Sequence, residues 1–171
     1  MRKSFLLLAL LALALPVVGV AGQRTGDGTL AVESGRGVVT LTARGGVIGR
    51  LDRGSVTIHD LTPGDNSAPN VFGDDNPVRL VGETGIRYSG TGIRFRVTGG
   101  RYRIVVDGKG INLSAVGKGF GSIQGEGDAP GLYSLDGDDC RKTPAACKAL
   151  PDVKERFQLG PDDKSPGRNE G

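Results

Sequence analysis

Tryptophan is absent from this 171-residue chain, and aromatic residues make up only 5% of it. Secreted sugar-binding modules generally rely on exposed aromatic platforms, and Tyr88, Tyr102 and Tyr133 are thin material for one. There is a single histidine, His59, beside Asp60, and no G-x-S-x-G elbow. A serine-type catalytic triad and a histidine-rich metal centre therefore lack their parts. Only two cysteines occur, spaced C-x6-C at Cys140 and Cys147. That spacing is not the C-x-x-C of a redox pair. In an oxidising compartment it is most simply one disulfide closing a small loop.

Long apolar runs are equally scarce, and the one present carries the most information. Arg2 and Lys3 form a positive end, Phe5 to Leu15 is apolar, Pro16 breaks the run, and Gly19-Val20-Ala21 offers small residues to a signal peptidase. This is the three-part pattern of a secretory signal over 1–21, with the mature chain starting near Gly22. An uncleaved signal anchor is the alternative. No second apolar stretch follows, so no transmembrane segment is expected after cleavage. No cysteine stands at the end of the signal for a lipid anchor, and the C-terminus has no hydrophobic tail.

Net charge is small. Lys+Arg number 22 and Asp+Glu 19. Loss of Arg2 and Lys3 leaves 20 against 19, a net of +1. Residues 22–127 hold 13 basic and 10 acidic groups, and residues 128–171 hold 7 and 9. This is not the footprint of a nucleic-acid binder, so attraction to anions must come from local clusters.

What is abundant is glycine, 30 residues of it, between short runs in which Val, Ile, Thr and Leu alternate with polar residues. That pattern predicts an all-β fold. The chain also repeats: at an offset of 65, Val32 falls on Val97, Gly35 on Gly100, Gly45 on Gly110, Ile48 on Leu113, Leu51 on Val116, Gly54 on Gly119 and Ile58 on Ile123. Two four-stranded units are expected, at about 29–60 and 93–124, joined by a turn-rich link and packed as a β-sandwich or barrel. A short β-solenoid is the alternative. Residues 128–159 are expected to strap across the domain, held by the disulfide loop, and 160–171 to be disordered.

The clearest local prediction is a hairpin. Ile93 to Thr98 runs into Gly99-Gly100 and then Arg101 to Val106, and Gly-Gly suits a two-residue turn. Such a hairpin puts Ile93, Phe95, Val97, Tyr102, Ile104 and Val106 on one face and Arg94, Arg96, Arg101 and Arg103 on the other, with Arg96 opposite Arg103. Like charges so opposed are unfavourable unless an anion relieves them. These four arginines are the predicted anion-binding residues. Arg44, Arg53, Lys109 and Lys118, which recur before glycine, read more simply as solubilising edge residues. No catalytic or metal-ligating set and no cofactor is expected. The Asp136 to Asp139 cluster lacks the ligand order of an EF-hand. Gly26-Asp27-Gly28-Thr29-Leu30 is like one calcium-binding nonapeptide, which works only in tandem. Asn112-Leu113-Ser114 matches a glycosylation triplet inside a buried strand pattern.

Val38 to Thr57, Tyr88 to Gly119, Gly131-Leu132-Tyr133-Ser134-Leu135 and Phe157-Gln158-Leu159 resemble secreted β-rich proteins of high-GC Gram-positive bacteria, a group with no activity to carry over. The resemblance implies export and an all-β fold. The leading functional expectation is a non-catalytic secreted or cell-envelope protein, structural or adhesive, partnered by an anionic cell-wall polymer or another envelope protein. A carbohydrate-binding module using Tyr88 and Tyr133 and a hydrolase with a carboxylate pair are the alternatives.

Overall fold

The computed structural model describes residues 24–26, 28–65, 67–73, 76–79 and 85–161. The signal over 1–21, Asp27, and all of the C-terminal tail beyond Pro161 lie outside them. The fold is all-β: β1 (Arg24–Thr25), β2 (Thr29–Asp60), β3 (Asn70–Phe72), β4 (Asn76–Arg79), β5 (Gly85–Gly125), β6 (Leu132–Ser134), β7 (Lys148–Ala149) and β8 (Glu155–Leu159), with one 3-10 turn at Pro144–Ala146. Among the described residues no helix is long and apolar enough to cross a membrane.

Two strands dominate, β2 of 32 residues and β5 of 41. They pair antiparallel from Thr29↔Val116 to His59↔Gly85, as one long ribbon. The ribbon then winds so that β2 also meets β5 along its other edge, from Gly37↔Gly125 to Asp60↔Tyr102. Val39, for example, lies between Val106 and Ile123. The pairings sort into two files of neighbouring stretches. One runs 29–36, 109–116, 46–53, 91–98; the other runs 117–125, 37–45, 101–108, 54–60, 85–90. β6 and β3 flank the first file, and β8 and β4 the second. All of it is one sheet that does not close on itself.

Glycine makes the winding possible. Gly125, Gly37, Gly108, Gly54 and Gly90 stand side by side in one cross-strand row where the chain passes between files. A Cβ at Gly37, Gly54 or Gly108 would lie 2.1–2.2 Å from a carbonyl oxygen of the adjacent stretch. Their φ angles of 128°, 145° and 155° disfavour L side chains as well. A side chain at any of them would push the neighbouring stretch away and open the crease.

Gly99-Gly100 does not form the expected hairpin turn. Both have positive φ, as that reading required, but they serve as a corner. Gly46 pairs with Thr98 and Arg44 with Arg101, so two residues of β5 stand opposite Gly45 alone. This is a bulge, and the extra residue bends the ribbon. Val97 accordingly faces Val47, and Tyr102 lies between Ala43 and Asp60. Residues 93–98 and 101–106 belong to different files and do not pair with each other.

The alternation of apolar and polar residues was read correctly: Ile93, Phe95, Val97, Tyr102, Ile104 and Val106 are all buried in one core that draws on both files. The four-stranded units are not separate bodies. Stretches of 29–60 pair with β5 and with β6, not with one another. The offset also matches Ile48, 58% exposed, with buried Leu113, and buried Leu51 with Val116, 60% exposed. Nor is the sheet a solenoid, whose coils would stack in parallel; among the described residues the only parallel pair is β1 with β8. Residues 128–159 supply edge strands and the core residues Tyr133, Leu135, Leu150, Phe157 and Leu159. Cys140 and Cys147 form a disulfide, with Cα atoms 5.7 Å apart.

Candidate anion-binding faces

Alternation along each stretch leaves basic residues on the outer side of both files. In the second file Arg44 pairs with Arg101 on one side and with Lys118 on the other. Three cations thus stand in one cross-strand row beside the Gly45 corner. Like charges directly opposed across a sheet are unfavourable. Two residues along, Arg103 lies between Thr42 and His59. β8 places Arg156 opposite Ser122. Arg44, Arg101, Lys118, Lys154 and Arg156 line an open groove of about 820 Å³, floored by Thr40, Thr42 and Ser122, with Phe120 54% exposed in its wall. Among the described residues, no aspartate or glutamate lines it.

Arg44 also bears on Asp65, in the loop after β2. Asp65 accepts hydrogen bonds from the Ser67 and Thr62 hydroxyls and from the Ser67 amide. These bonds, Ser67 first, and the charge of Arg44 hold its carboxyl below the usual 3.8. The Tyr102 hydroxyl reaches Ser67 from the core, so this loop is anchored beside the cationic row.

The four predicted arginines are all exposed but do not share a face. Arg101 and Arg103 belong to the second file, while Arg94 and Arg96 belong to the first. Arg96 is not opposite Arg103; it faces Ile48. Arg94 faces Arg50 on one side and Phe72 on the other. A second groove, of about 800 Å³, lies over this face. Two of its three described acidic residues are ion-paired. Glu33 is 2.6 Å from Arg141 Nε, Asp138 accepts from the Ser134 hydroxyl, and Asp139 pairs with Lys142 at 3.3 Å. A third cationic row, Arg36, Lys109 and Arg53, borders a groove that Asp107 and Glu126 also line, so its charge is mixed.

Arg44 and Lys118, which the sequence presents as edge residues, are adjacent only through the second β2–β5 ladder. Arg156 and Lys154 were missed, because only the docking of β8 on 119–123 brings them to the groove.

The parts of other chemistries are dispersed. Tyr133 is 3% exposed and Tyr88 packs against the core, so the two do not form a surface row. Among the described residues no three His, Cys, Asp or Glu side chains gather as a metal site requires. Asn112 donates to the Gly110 carbonyl and accepts from Arg141 Nη2, which occupies the amide of the glycosylation triplet. Asp139, held by Lys142 and the Arg141 amide, also lies below the usual carboxylate value. That is the wrong direction for a general acid. No protein-family model matches this chain, and no curated protein or solved structure is similar to it.

Proposed function

We propose that this is a non-catalytic, exported protein that holds an anionic polymer of the cell envelope in the groove of the second file. The observation that carries the reading is Arg44 in direct cross-strand register with Arg101, beside Arg156, in a groove that no carboxylate lines among the described residues. An arrangement that costs folding free energy is relieved by a bound anion, and guanidinium forks suit phosphate or carboxylate. Export rests on the pattern of residues 1–21 and on the resemblance to secreted β-rich proteins, and the disulfide is in keeping with an oxidising compartment.

Cosedimentation with purified envelope and binding to a soluble phosphodiester polymer test it across a salt series. Binding is expected to fade as salt rises, because exposed charges are screened over about 8–10 Å at physiological ionic strength. Arg44→Gln with Arg101→Gln is expected to weaken it on the order of tenfold at low salt. Equal binding by that variant, or binding indifferent to salt, would refute the proposal.

A further inference from the structure

We infer that the outer face of the first file is a second interaction surface, fitted to an anionic lipid surface. On it, Arg50 stands beside Arg94, Arg94 beside Phe72, and Arg96 beside Ile48. Ile48 is 58% and Phe72 66% exposed, two large apolar side chains held outward among three arginines. Of the described carboxylates in the same groove, Glu33 is paired with Arg141 and Asp139 with Lys142, while Asp138 accepts from the Ser134 hydroxyl and keeps its charge. The face therefore presents three arginines and protruding apolar groups together.

Those two properties select the partner. A polyanion answers the arginines but gives Ile48 and Phe72 nothing apolar to enter. A second copy of this face would bring its own arginines against these. An anionic bilayer answers both: headgroup phosphates meet the guanidinium groups, and the apolar side chains enter the headgroup–acyl boundary. The inference does not rest on the polymer groove, which lies on the other file and uses different residues.

Cosedimentation of the full chain with phosphatidylcholine vesicles, with and without phosphatidylglycerol, tests it. Preference for the phosphatidylglycerol vesicles is expected. Arg94→Gln with Arg96→Gln is expected to lower that affinity on the order of tenfold at low salt. Ile48→Ser with Phe72→Ser is expected to lower it by a similar factor, including at salt concentrations that screen the arginines. Residues 1–21 are common to every variant, so any association they cause does not produce these differences. Arg44→Gln with Arg101→Gln is expected to keep vesicle binding, which separates the two faces. The inference fails if wild-type protein does not prefer anionic vesicles or if either first-file double variant binds as well as wild type. It also fails if soluble glycerol phosphate binds this face as tightly as vesicles with no effect of Ile48→Ser and Phe72→Ser. The six substituted residues are exposed, and an unchanged urea midpoint confirms an intact fold.

Discussion

Gly45 and Gly46 are chemically identical neighbours with opposite tolerances. A Cβ on Gly45 would stand 2.1 Å from the Val116 carbonyl oxygen, at a φ of 149°, whereas one on Gly46 meets nothing within 4 Å. Gly45→Ala is expected to cost more than ~2 kcal/mol. Gly46→Ala is expected to be neutral or to stabilise by about 0.4–1 kcal/mol, through the unfolded chain. Urea unfolding of the two variants checks this, and similar losses for both would contradict the crease. Asp65 gives a second residue-level expectation. Its folded pKa is depressed, so the stability it contributes is present above the unfolded value of 3.8 and is lost as pH falls through the folded value. Asp65→Asn is expected to flatten the pH dependence of unfolding below 3.8, and an unaltered slope there would show that the Ser67 and Thr62 bonds carry none of it.

At the scale of elements, the sequence names the strands more reliably than their partners. The apolar alternation of 93–97 and 102–106 is local and was legible. The partner of each stretch was not. A Gly-Gly pair serves equally as a hairpin turn or as a bulge opposite Gly45, and only the β2 pairing decides between them. The disulfide element is the reverse case. Its pairing followed from cysteine count and compartment, and it closes a sequence separation of 7. The clamped loop carries Arg141 across to Glu33 and Asn112. Cys140→Ala with Cys147→Ala is expected to lower stability by about 2 kcal/mol in urea unfolding, on the loop-entropy account. Polymer binding on the opposite file is expected to be unaffected; its loss would mean that the loop supports both faces.

For the whole molecule, the near-neutral composition conceals an uneven distribution of charge. Arginines that are close in sequence are divided between two files, and cations that are distant in sequence are gathered into one row. The two outer faces are therefore expected to be separable. Arg44→Gln with Arg101→Gln is expected to weaken polymer binding and spare vesicle binding, and Arg94→Gln with Arg96→Gln to do the opposite. The sequence by itself determined the all-β class, the core face of 93–97 and 102–106, the disulfide and the need for glycine, because period-two alternation, cysteine spacing and turn chemistry are local properties. Only the tertiary structure decided that β2 and β5 wind into one open sheet, and hence which cations meet. Each stretch accepts partners on two edges, and registers such as Arg44 with both Arg101 and Lys118 exist only once the ribbon has folded back on itself.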